Sequence, residues 1–196
     1  YFKEGKQDVN EAEDEFKLAT TQLLGPVTEF IRYSIPTENP TAHHYLAVQL
    51  YKDILQFHLT DKDPAALLDA DLDRLNFMHQ NGTMGEKKIW YQKALAAIMQ
   101  QYAGTAGSDQ AGYLLARTFM EQEPADYKQA LAICEKITQT KKETEGYSNC
   151  YNLIQEIRQP TLTLNIEKVN LPNQPFRSLV GWRNLTRVHF RLLRLN

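Results

Sequence analysis

The sequence predicts a mainly α protein of about seven helices paired as antiparallel hairpins, followed by a short C-terminal β segment of two or three strands. Three observations predict it. Apolar residues recur at helical spacing through residues 1–160, which form a helical-repeat domain. Two segments repeat further along the chain at nearly equal offsets. After Pro160 the apolar period drops to two, so residues 161–196 read as β strands.

The first helix is expected from Glu11 to about Leu24, with an apolar stripe at Phe16, Leu23 and Leu24. Gly25-Pro26 breaks it, and Val27 to Tyr33 reads as a short continuation. Ser34 to Pro40, with two prolines, reads as a linker. Thr41 to Leu59 carries Tyr45, Leu46, Val48, Leu50, Tyr51, Ile54, Leu55 and Phe57. That apolar face is broad for a surface helix and predicts a well-buried one. Asp63 caps the next helix with Pro64 as its first residue, and Asn81-Gly82 ends it. Further helices are expected over roughly 84–102, 109–122, 125–139 and 144–158.

Self-comparison defines the architecture. Tyr91 to Ile98 resembles Tyr127 to Cys134 at an offset of 36 residues, and Gly112-Tyr113 recurs as Gly146-Tyr147 at an offset of 34. A period near 34 with helix–turn–helix units is that of the tetratricopeptide repeat. Ala116 and Ala130 are small enough to let neighbouring helices approach, with Leu115, Phe119, Tyr127 and Leu131 filling the surrounding space. Glu123-Pro124 reads as a lengthening of the turn between them. Beyond Pro160, Leu162, Leu164 and Ile166 alternate with polar residues, and so do Val188, Phe190 and Leu192. Both runs read as half-buried strands, separated by a proline-containing loop over Asn170 to Pro175. Two strands are not stable alone, so this segment reads as the opening of a larger β domain.

Composition narrows the function classes. Of 196 residues 42% are hydrophobic and 23% charged, which is too apolar for a disordered chain. No apolar run approaches the ~18 residues that span a membrane, so no membrane insertion by this segment is expected. With neither an initiator Met nor an export signal ahead of it, Tyr1 reads as an internal start. The net charge of −2 is split, +5 from Thr161 onward and −7 before it. Three of the tail's arginines fall in a strand-like alternation, so nucleic acid is not an expected partner.

Candidate sites are few. His44 and His58 lie 14 residues apart, too far along one helix to share a metal with His43. Asp69, Asp71 and Asp73 start like a calcium loop, but Arg74 replaces the required glycine and Gln80 the closing glutamate. There is no phosphate-binding loop, nucleophile elbow or evident acid–base pair, and no catalytic residue or cofactor is assigned. Two Asn-x-Thr sequons, at Asn81 and Asn184, matter only in a eukaryotic secretory setting.

The cysteines carry one inference. A hairpin of helices 125–139 and 144–158 turning near Lys142 places Cys134 and Cys150 at the same level, both inward. Two outcomes remain open: two small core residues in contact, or a disulfide in an oxidising compartment. A disulfide across so short a loop contributes roughly 3 kcal/mol.

Asn170-Leu171-Pro172, Pro175, Gly181-Trp182-Arg183-Asn184-Leu185 and Val188-His189-Phe190-Arg191 together resemble a stretch of bacterial alpha-2-macroglobulin-like proteins. In those proteins a helical-repeat region leads into the first macroglobulin-like β domains, and the resemblance covers residues 84–196. It implies a non-catalytic scaffolding and interaction segment of a large exported protease-trapping protein. The localisation it implies is periplasmic or outer-membrane-associated. The implied partners are other domains of the same chain and, through the parent protein, proteases or envelope proteins. The family's Cys-Leu-Glu-Gln thioester motif is absent, as the resemblance implies for an N-terminal piece. The alternative is a free-standing repeat adaptor that binds an extended peptide in a groove lined by Asn, Lys or Arg. An enzyme with an unrecognised site is a third reading.

Overall fold

A computed structural model describes residues 16–140, 143–167, 169 and 174–191. The expected helix start at Glu11, the turn near Lys142, residues 170–173 of the expected loop, and Leu192 lie outside them. Among the described residues there are seven α-helices and one two-stranded antiparallel sheet. A 3-10 turn at Thr21–Leu24 precedes α1 (Val27–Arg32), α2 (His43–His58), α3 (Ala65–Asn81), α4 (Lys87–Gln101), α5 (Ala106–Met120), α6 (Tyr127–Thr138) and α7 (Glu145–Arg158). The strands are β1 (Thr161–Ile166) and β2 (Ser178–Arg183).

The later helices start where side chains can satisfy their first N–H groups. Thr105, Asp126 and Thr144 accept from the backbone of Ser108, Gln129 and Tyr147. Asp63 accepts from Ala65 N–H at the start of α3. In the stack α5 packs on α4, α6 and α7, and also on α3, so alternate helices are neighbours, as in tetratricopeptide hairpins. Small residues permit the close approaches. Ala116 and Ala130 are fully buried in one cluster with Cys134, Cys150 and Ile154. A Cβ on Gly112 would stand 2.4 Å from Ile137, and one on Gly146 2.3 Å from the α5 backbone at Asp109 and Gln110.

Three expectations are corrected. Residues 16–20 are not helical; Ala19 N–H donates to Lys17 O in a tight turn and Leu18 O accepts from Thr83 N–H, before the 3-10 turn. The apolar residues of this segment, Phe16 and Leu18, are buried, and Leu18 spends its carbonyl on Thr83 instead of on a helical partner. Second, α2 is not well buried. Val48 and Leu55 are fully buried, while Leu46, Leu50 and Phe57 remain 50%, 60% and 76% exposed. It packs on α3 and on the short α1, and neither covers these three residues. Third, β1 pairs with Ser178–Arg183 and not with the run through Val188, which has no strand geometry over 187–191. Alternation permits a strand, but a strand also needs a hydrogen-bonded neighbour.

Candidate functional site

The junction of α7 with the hairpin begins as a helix-terminus problem. The last carbonyls of a helix lack intrahelical donors. At α7 the side chains that end β2 supply them. Asn184, held at φ 55°, donates Nδ2 to Ile157 O at 2.6 Å and to Gln159 O at 3.2 Å. Arg183 Nη2 donates to Glu156 O at 3.1 Å, placing a cation at the negative end of the helix dipole. The same guanidinium lies 5.0 Å from the Tyr127 ring at the start of α6. Two consecutive residues thus tie β2 to both α6 and α7. Sequence reading singled out Arg183 and Asn184 only as part of a motif; the signal for their role was an αL-tolerant Asn following the strand.

The sheet held there is apolar on one face. The register pairs Leu162 with Trp182 and Leu164 with Val180, so these four side chains and Ile166 share a face. Leu162, Leu164, Ile166 and Trp182 are all about half exposed or more. Val188 and Phe190 stand beside Val180 and Trp182 around a hollow of about 300 Å³.

Cys134 and Cys150 are fully buried between α6 and α7 as free thiols. They are brought together: the hydrogen bond with Cys134 and then burial push the Cys150 thiol up from its ordinary value. Such a thiol stays protonated and is no nucleophile at neutral pH.

The seam between α3 and α5 is open. One hollow reaches Asp63, Asp69, Gln110 and Glu145; another is lined by Asn76, Lys87, Arg117 and Glu121. Asn149 Nδ2 donates to Gln110 across α5 and α7. In the hollow with Asn76 and Arg117, His79 stacks on Tyr91, with ring centroids 4.3 Å apart. Burial first, then the Lys87 charge, lower the His79 pKa, and burial pushes Tyr91 up to about 12. His43, His44 and His58 join no cluster: among the described residues no three His, Cys, Asp or Glu side chains converge as metal ligands. No described helix is long and apolar enough to cross a membrane.

Fold and site together define a helical-repeat module with a β-hairpin fixed to its last helix. Compared with protein families, curated proteins and solved structures, the chain matches none of them.

Proposed function

We propose that this chain is a non-catalytic scaffolding segment of a large exported alpha-2-macroglobulin-like protease-trapping protein, and that its helices hold a β-hairpin ready for further β domains of the same protein. The observation that carries the reading is the hairpin itself. It is tied to α7 at its base by Arg183 and Asn184, while Leu162, Leu164, Ile166 and Trp182 stand uncovered. A two-stranded sheet with an open apolar face gains stability when a second β layer covers it. The partners are then neighbouring domains first, and proteases or envelope proteins through the assembled whole. The coding sequence on either side tests this: an export signal upstream and a run of β domains downstream are expected, and a frame that stops near Asn196 contradicts it.

A second reading, a peptide-binding adaptor, is favoured by the open α3–α5 seam with Asn76, Lys87 and Arg117 along it. An extended-peptide array read on the full chain distinguishes the two. Binding abolished by Asn76→Ala with Arg117→Ala supports the adaptor; no bound peptide removes it.

A further inference from the structure

The 3-10 turn, α3 and α4 border a further hollow, a cavity of about 340 Å³ walled by Leu24, Leu67, Leu68, Ala94, Ala97 and Ile98. Trp90 and Lys93 also border it, the ammonium lying 4.6 Å from the indole ring. The cavity has a polar patch made of Asp71 and Arg74, both buried. Arg74 is fully engaged: Nη1 donates to Leu23 O, Nη2 to Gly25 O, and Nε to Asp71. Both approaches to Asp71 fall on one oxygen, Oδ1, at 2.8 Å from Nε and 2.7 Å from Nη2.

Asp71 Oδ2 takes no hydrogen bond from a described residue. It is also not sealed in, because Arg183 Nε is the one fully enclosed side-chain atom without a partner among the described residues. Oδ2 therefore keeps some accessible surface, and Asp71 is one of the residues that line the cavity. An acceptor facing an apolar space is costly until a donor reaches it. Arg74 already balances the Asp71 charge, so an added cation is left uncompensated, while an anion held by Lys93 at the border is still repelled from Oδ2. A neutral donor meets neither cost, and the volume suits a small ligand.

We propose that this cavity binds a small apolar molecule carrying one neutral hydroxyl or N–H group, which donates to Asp71 Oδ2 while its body lies against Ala94, Ala97 and Trp90. The chain has two tryptophans, so in a Trp182→Phe background of the full chain Trp90 is the sole fluorescent reporter. Four probes with one ring and different heads are titrated: cyclohexylmethanol, methylcyclohexane, cyclohexanecarboxylate and cyclohexylmethylamine. The alcohol is expected to shift Trp90 emission saturably and to bind roughly tenfold tighter than the hydrocarbon, one hydrogen bond's worth. Ala97→Phe, which fills the cavity, is expected to abolish the shift. The proposal is overturned if no probe saturates, if the hydrocarbon binds as well as the alcohol, or if a charged probe binds best. Unchanged binding in a folded Ala97→Phe variant overturns it too; the probe series alone decides if that variant does not fold.

Discussion

Asn184 Nδ2 stands 2.6 Å from Ile157 O, so a side chain from the end of β2 closes the last turn of α7. The residue that makes this bond has left-handed backbone, φ 55°, which asparagine tolerates better than most residues. Helix end and strand end therefore stabilise each other, and the hairpin's orientation on the helices follows from two adjacent residues, Arg183 and Asn184.

The approach of α7 to α5 depends on Gly146. An added Cβ meets Asp109 C and Gln110 N, both at 2.3 Å and both backbone, so no side chain can move aside. Gly146→Ala is expected to destabilise the fold by about 1–3 kcal/mol in urea unfolding. Gly85→Ala, with nothing within 4 Å of its Cβ, serves as the comparison and is expected to lie near zero.

Arg74 fastens the N-terminal segment to α3. It reaches Leu23 O at 2.7 Å and Gly25 O at 2.9 Å, pairs with Asp71, and stacks on Phe30 at 4.4 Å. Burial pushes the Asp71 carboxyl up, with the Arg74 charge pulling the other way, so Asp71 depends on its partner. Arg74→Met is expected to cost about 3–5 kcal/mol, because it leaves a buried carboxyl unpaired. Adding Asp71→Leu should recover only part of that loss in chemical denaturation, since the two carbonyls remain without their donor.

His79 gives a pH dependence. Burial, then Lys87 and Lys88 against Glu121, lower its pKa in the folded state below the ordinary 6.5. The unfolded chain therefore takes up a proton first as pH falls, and stability drops from about pH 6.5 down to the folded pKa. His79→Gln should remove this component, seen as a flatter melting temperature over that window. An unchanged slope contradicts the assignment.

Cys134 and Cys150 lie together in the core, so an oxidant reaches them while the chain refolds, before burial keeps Cys150 protonated. With glutathione disulfide as oxidant, the two thiols give up two protons and two electrons, forming one protein disulfide and two molecules of glutathione thiol. The bond closes a loop of the size that contributes about 3 kcal/mol. Refolding in that buffer, then denaturing in an alkylating reagent, is expected to leave both cysteines unmodified and the oxidised protein more heat-stable. Alkylation of both would mark the pair as core contacts alone.

Much of the helical stack could be read from spacing, because a close helix pair needs small residues at fixed offsets. Ala116, Ala130, Gly112 and Gly146 supply that signal, and the structure packs α5, α6 and α7 around them. The exposure of Leu46, Leu50 and Phe57 was not readable, since periodicity measures the width of an apolar face and not whether a neighbour covers it. Arg74 was hidden for a related reason: its partners are mainly backbone carbonyls, which carry no sequence signature. β2 was missed because Gly181 and Arg183 blur its alternation, and because its place depends on side chains that cap a helix far back in the chain.

The most direct test of the account is hydrogen exchange on Asn184→Gly. Glycine keeps the left-handed backbone at no steric cost and removes only the amide that holds Ile157 and Gln159. The account predicts that amides of Leu162, Leu164 and Val180 exchange at least about tenfold faster, as expected for a lost hydrogen bond or more, while those of α4 and α5 keep their wild-type rates. Unchanged protection across both strands would show that the hairpin does not depend on its attachment to α7, and would contradict the account at its centre.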